Sequence, residues 1–268
     1  MMLHHTIVKG IELMLPKIAI LKPAAALFEK ALTLSERLTL PLIEATDQHL
    51  YSAIFLVRAE HLAIQIIGTQ APGPVSVDFL AGKAAHRRKY GGGKGQLLAK
   101  AIGLGSLKAP HVLDLTAGLG QDAFVMACLG CKVQMLERSP IIAALVQDAL
   151  DRAAEEPDFR DLTLQLTVDD SQHYLQHLLP ANFPEVIYID PMFPTRTKSA
   201  LVKKEMRVLR TVVGEDPDAE ILLTLSRKIA KKRIVVKRPR LAPYLDNHKP
   251  DILYQGQSSR FDVYITVK

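Results

Sequence analysis

From about residue 110 onward, short runs rich in Val, Ile and Leu alternate with longer amphipathic stretches. The runs predict strands at 111–116, 132–137, 163–168, 185–190 and 233–237. The stretches between them predict helices at 121–129, 139–155, 171–178, 200–213 and 218–231. Within 200–213, Val202, Met206, Leu209 and Val213 recur at helical spacing and are expected to pack inward, turning Lys203, Arg207 and Arg210 outward. After Pro243 the rhythm changes. Strand-like runs at 251–255 and 260–267 are joined by Gly256-Gln257-Ser258-Ser259, too short a link for a crossover helix, so they form an antiparallel pair.

Strands alternating with helices argue for a mostly parallel sheet covered on both faces. Five parallel strands ending in an antiparallel pair give the expected fold class: an α/β, Rossmann-like class I methyltransferase sheet, seven-stranded and mostly parallel with one antiparallel strand. The first part of the chain has a different pattern. A helix is expected over 23–40 with an apolar face through Leu27, Ala31 and Leu34, then a hairpin from 53–57 and 62–67 split by polar residues. Ala71-Pro72-Gly73-Pro74 breaks any regular element. The expected division is therefore 1–73 as a small N-terminal α+β domain and 74–268 as the methyltransferase domain.

The chain's 268 residues and 48% apolar content suit a sizeable buried core. No stretch approaches the ~20 uncharged apolar residues needed to span a bilayer. Residues 1–21 lack the basic-then-apolar order of a secretory signal, so a cytoplasmic location is expected. Cys128 and Cys131 form a C-x-x-C, but a zinc site needs about four ligands and there is no second pair. Two small core residues account for them, and no metal is expected. The net charge of +6 matters through its placement. Arg87, Arg88 and Lys89 are consecutive. Lys203, Lys204, Arg207 and Arg210 form one further cluster, Arg227 to Arg233 another, and Lys237, Arg238 and Arg240 a third. Any one could be a solvated face; together they favour a polyanionic partner.

Val112-Leu113-Asp114-Leu115-Thr116-Ala117-Gly118-Leu119-Gly120 reads as a strand entering a Gly-rich turn before a helix at Gln121. Ligands in open α/β sheets sit beyond such strand ends, and Gly118 and Gly120 allow close backbone approach. Position 123 is Ala, so the third glycine of G-x-G-x-x-G is missing. That fits a cofactor without phosphates, such as S-adenosyl-L-methionine. Glu137 ends the next strand about 20 residues on, where an acid accepts from both ribose hydroxyls of an adenosine; Arg138 is adjacent. Asp170 and Ser171 close the third strand, and either meets the adenine amine or caps the following helix.

Val186-Ile187-Tyr188-Ile189-Asp190-Pro191-Met192-Phe193-Pro194 carries the sharpest chemistry. An exocyclic amine conjugated to a base ring is a poor nucleophile. A carboxylate and a backbone carbonyl that accept its two N–H groups would aim its lone pair at a methyl donor. Asp190 is the expected acceptor, the Pro191 carbonyl its companion and Phe193 a stacking platform for the base. The competing reading is a strand-ending Asp-Pro turn. Gly91-Gly92-Gly93-Lys94-Gly95 is glycine-rich beside lysine but does not match the P-loop pattern; a mobile basic loop that covers the cofactor or grips phosphate is expected.

Asp190-Pro191-Met192-Phe193-Pro194 resembles the amino-methyltransferase signature, with Met192 in place of a second proline. Several segments together look like the ribosomal RNA small subunit methyltransferase J family, guanine-N2 methyltransferases of bacterial 16S rRNA. They are that motif, Leu115-Thr116-Ala117-Gly118-Leu119-Gly120, Asp78-Phe79, the stretch from His86 through Gly95, Lys203-Lys204-Glu205-Met206-Arg207 and Val236-Lys237-Arg238-Pro239. The resemblance runs from about residue 75 to the C-terminus. It implies a cofactor site at Gln121-Asp122, Glu137-Arg138, Asp170-Ser171 and Asp190. It also implies an S-adenosylmethionine cofactor and a partner that is 16S rRNA or the small ribosomal subunit; the basic clusters make Arg87, Arg88, Lys89, Lys94, Lys203, Arg207 and Arg210 the expected contacts to its phosphates. Neither an obligate protein partner nor a membrane is implied. The alternatives are methylation of another base, a protein amide or a small molecule, or a non-catalytic RNA-binding module on a relic cofactor fold.

Overall fold

The computed structural model describes residues 16–81, 95–192, 204–214 and 218–266. The large sheet contains β5 (His111–Asp114), β6 (Lys132–Glu137), β7 (Leu164–Val168), β8 (Val186–Ile189), β9 (Arg233–Pro239), β10 (Ile252–Gln255) and β11 (Ser259–Ile265). Its spatial order is β10-β11-β9-β8-β5-β6-β7. β7, β6, β5, β8 and β9 pair in parallel, and β11 runs antiparallel to both β9 and β10. The sheet therefore has seven strands and one of opposite direction, as the period and link lengths predict. β5 lies at the centre, with β6 and β7 wound to one side and β8 and β9 to the other. Such a switch point opens a crevice at the carboxyl ends of β5 and β8.

Both faces of the sheet are covered, so its central strands are apolar almost throughout. In β8 all four residues are buried, and they alternate between two cores. Val186 and Tyr188 join one cluster, which includes helices α2 (Leu97–Ile102), α3 (Gln121–Cys128) and α4 (Pro140–Glu155). Ile187 and Ile189 join the other, packed against α5 (Ser171–His177) and α7 (Ala219–Ile229). α4 begins on a Ser139 cap that accepts from Ile142 N, with Pro140 in the first turn, where its missing N–H costs nothing.

The first part of the chain forms a four-stranded sheet in the order β2-β1-β3-β4 from β1 (Ile18–Leu21), β2 (Leu42–Ile43), β3 (Ala53–Val57) and β4 (Leu62–Ile66), with α1 (Phe28–Leu38) beside it. The hairpin β3–β4 and the buried face of α1 through Ala31 and Leu34 match the sequence pattern. β1 and β2, parallel to each other, are not signalled by it: both are short, and β2 has only two residues. The apolar cluster of β1, β3 and β4 is continuous with that of α3 and α4.

One local expectation changes. α6 is seen from Lys204 to Val213, and its fully buried residue is Val208; Leu209 and Val213 pack against the core at its edge and, with Met206, also line a cavity. The helix is wedged between β4, α4 and that cavity, so its apolar stripe is shared between packing and an opening. Cys128 and Cys131 are unbridged thiols. Burial raises the Cys131 thiol pKa to about 12, so it stays protonated. Among the described residues, no helix is long and apolar enough to cross a membrane, and no group of three or more His, Cys, Asp or Glu side chains could hold a metal ion.

Candidate active site

A cavity of about 610 Å3 opens at the carboxyl ends of β5, β6 and β8. The turn after β5 forms its floor. Gly118 has φ +52°, and a Cβ added there would point toward Leu209, 3.8 Å away across the cavity. Gly120, at φ +68°, plays a different part, because a Cβ there would lie 3.1 Å from Phe79 and 3.2 Å from Met135. Phe79 stacks on Phe124 with ring centres 4.6 Å apart. Gly120 thus lets the turn close onto buried rings and does not line the cavity, whereas Asp114, Gly118, Gln121 and Asp122 do.

Glu137, at the end of β6, is 7% exposed. Its two oxygens accept from Gly118 N at 3.0 Å and from Ser139 N at 2.8 Å. One carboxylate thereby fixes both the Gly turn and the start of α4 while facing the cavity. Arg138 lies beside it, with Nη1 3.7 Å from Asp218. Asp170 caps α5, accepting from Gln172 N and His173 N. Ser171 donates to Leu115 O at 2.6 Å, tying α5 to β5. Both residues line the cavity, so capping and facing a ligand coexist.

Asp114 is 2% exposed and accepts from Thr116 N at 3.1 Å. Burial pushes its pKa well above the usual carboxylate range, with further upward pressure from Asp122 and Asp190. Thr116 in turn accepts from Asp190 N at 2.6 Å, which anchors the Asp-Pro corner after β8 to the Gly turn. Asp190, Pro191 and Met192 line the cavity. Phe193, Arg87, Arg88, Lys89, Lys94 and Lys203 lie outside the described residues. Of the remaining basic candidates, Arg210 lines the cavity, whereas Arg207 Nη2 donates to Gln70 O at 2.8 Å.

The charge arrangement contains a residue to which sequence reasoning, counting it in a basic cluster and in a family-like segment, gave no role in the site. Lys237 Nζ lies 2.7 Å from Asp190 Oδ2 and 2.7 Å from Asp122 Oδ2. Tyr188 donates to the same Asp122 oxygen at 2.7 Å. The register explains the meeting: Ile189 pairs with Val236, so one residue further along Lys237 stands beside Asp190. A signal was present, since Lys237 interrupts an apolar strand next to the strand that ends in Asp190. Burial alone would lower the Lys237 pKa, but Asp190 and Asp122 outweigh it, and the ammonium is held charged.

The cavity fits an adenosine-type cofactor. It offers a lining glycine in the left-handed conformation, a buried carboxylate at the second strand end and a polar cap at the third. A family model described as Putative SAM-dependent methyltransferase matches residues 33–266. Curated relatives named ribosomal RNA small subunit methyltransferase J include one from Coxiella burnetii (strain RSA 331 / Henzerling II). It is 50% identical over 248 residues, covering 92% of this chain and 96% of its own. Another, from Pseudomonas paraeruginosa (strain DSM 24068 / PA7), is 46% identical over 252 residues, covering 93% and 95%. The crystal structure of a SAM-dependent methyltransferase from Neisseria gonorrhoeae is similar with a TM-score of 0.69 and 31% identity, over 92% of this chain and 95% of that one. Fold and site define an S-adenosylmethionine-dependent methyltransferase. Within that class, the chain belongs to the ribosomal RNA small subunit methyltransferase J family.

Proposed function

We propose that this chain methylates the exocyclic N2 of a guanine in small-subunit (16S) ribosomal RNA. One observation carries the reading: the Asp190-Pro191 corner opens into the same cavity as Gly118 and Glu137. When bound, S-adenosylmethionine supplies an electrophilic methyl group. Glu137 accepts hydrogen bonds from ribose hydroxyls, and Gln121, Asp122, Arg138, Asp170 and Ser171 complete that wall. Asp190 accepts one N–H of the guanine amine and the Pro191 carbonyl the other, which directs the nitrogen lone pair into the cavity. The amine reacts in its neutral form and releases its proton after transfer, so no general base is needed to begin. A paired or stacked guanine hides this amine, so the base must leave its stack. Phe193 is assigned the stacking role from its sequence position alone.

Arg210 at the cavity wall, with Arg87, Arg88, Lys89, Lys94 and Lys203, forms the proposed contact to RNA phosphate, while Arg207 is taken up by Gln70 O. Residues 1–73 form the small domain and 74–268 the methyltransferase domain in this reading, and the protein works in the cytoplasm on rRNA or the small subunit. The names of the curated relatives support the substrate. The test has two arms. Mass mapping of rRNA nucleosides from a strain lacking the protein should show the loss of one N2-methylguanosine; loss of a different methylated base would sink the guanine assignment. Asp190→Asn should lower the single-turnover methyl-transfer rate by roughly 10²-fold. A wild-type rate with both ligands bound would make the Asp-Pro corner purely structural.

A further inference from the structure

Three carboxylates crowd the reacting end of the cavity. Asp114 comes from β5, Asp122 from α3 and Asp190 from the end of β8, with the Tyr188 hydroxyl among them. Lys237 from β9 enters this group and touches two of them at 2.7 Å each. Its side chain is 28% exposed, that of Asp122 10% and that of Asp190 36%. The lysine therefore has a buried anchor on one side and an accessible carboxylate on the other. Asp122 is itself held by Tyr188 at 2.7 Å, so the anchor cannot swing freely.

We propose that Lys237 is a positioning residue for methyl transfer: anchored on Asp122 and Tyr188, it holds the Asp190 carboxylate ionised and aimed at the substrate amine. The proposal rests on the reading of Asp190 as the amine acceptor. The ionised carboxylate is the stronger acceptor for the N–H and the better partner for the positive charge that grows on the nitrogen, and the neighbouring Asp122 carboxylate pushes it toward protonation. A cation 2.7 Å away opposes that push. The attraction that raises the Lys237 pKa acts equally in reverse on its carboxylate partners. The other charged groups around the cavity are Glu205 and Arg210 from α6, Glu137 at the end of β6 with Arg138 after it, Asp170 at α5, Asp218 ahead of α7 and Arg238 on β9. On the neighbouring β11, Lys237 pairs with Phe261, and the flanking Arg260 and Asp262 bond each other. The ammonium of Lys237 touches Asp190 directly.

Transfer requires ionised Asp190, so the rate falls as pH drops through its pKa. Removing Lys237 raises that pKa and moves the acid limb to higher pH, by about one to three pH units for loss of one adjacent opposite charge. The experiment is single-turnover methyl transfer across pH for wild type, Lys237→Met and Lys237→Arg, with saturating cofactor and RNA. It is paired with a 13C-carboxyl titration of Asp190 in the protein without cofactor, assigned with Asp190→Asn. Lys237→Met should lower the neutral-pH rate at least tenfold and shift both limb and titration upward, and Lys237→Arg should restore both toward wild type. An unshifted limb and an unshifted titration in folded Lys237→Met overturn the proposal. If Lys237→Met does not fold, the wild-type titration decides: Asp190 titrating at or above the ordinary Asp value of about 3.9 overturns it, and a lower value supports it. The product nucleoside, identified by mass, reports separately on the guanine reading.

Discussion

Glu137 shows how one side chain serves fold and ligand together. Its oxygens accept two backbone N–H groups, and it faces the cavity. Removing the carboxylate therefore has two separable consequences. Gly118 N and Ser139 N lose their acceptor, which costs about 1–3 kcal/mol of stability where they stay dry. Hydrogen bonds from a bound ribose to a charged group are also lost, at about 1.5–3 kcal/mol. Glu137→Ala should lower both the unfolding free energy and the calorimetric affinity for S-adenosylmethionine. Lower stability with unchanged affinity, measured where the variant is folded, would leave Glu137 a structural clamp only.

At the scale of elements, α6 separates charges that the sequence grouped together. Arg207 donates to Gln70 O and Lys204 to Pro74 O, so both fasten the helix to the chain after β4. Arg210 instead reaches the cavity wall. Arg210→Gln should weaken RNA binding and reduce the slope of log affinity against log salt by nearly one phosphate contact, about 0.7–0.9. Arg207→Gln should lower the melting temperature and leave that slope nearly intact. The opposite pattern would return α6 to a uniformly RNA-facing helix. Helical spacing revealed that α6 is two-faced but not which face meets what, because the spacing of Met206, Leu209 and Val213 is the same for a core and for a cavity wall. The large sheet was legible because βα alternation and the short link at 256–259 leave few topologies open. β1 and β2 were not: the four residues of β1 are all apolar and show no alternation, and the two-residue β2 has no period and forms only where β1 already exists. Lys237 escaped for a related reason: its meaning lies in the register between β8 and β9, which composition cannot show.

At the scale of the molecule, the two sheets are separate in topology but share one core. Ile20, Phe55 and Ile64 of the small sheet share one apolar cluster with Phe124 and Val146 of the large one. The link is stitched to both: Val75 exchanges backbone hydrogen bonds with Ile64 at 2.8 and 2.9 Å, and Phe79 stacks on Phe124 beneath Gly120. Asp148 of α4 accepts from Leu62 N at 3.1 Å and lies 3.6 Å from Lys30 of α1. Units joined by a continuous core unfold together. The chain has no tryptophan, so Phe28→Trp in α1 and, in a second variant, Phe183→Trp ahead of β8 report the two sheets separately. Their denaturation midpoints should coincide. Cofactor at about 100 times its Kd adds about 2.7 kcal/mol to whatever unfolds with the site, so it should raise both midpoints equally. If it raises only the Phe183→Trp signal, the small sheet melts independently and the shared core does not couple the two. If both rise together, cofactor binding stabilises the small sheet through Phe79 and the turn above it. In that case Phe79→Ala, at about 3–5 kcal/mol for a buried ring, should lower both midpoints and loosen cofactor binding as well.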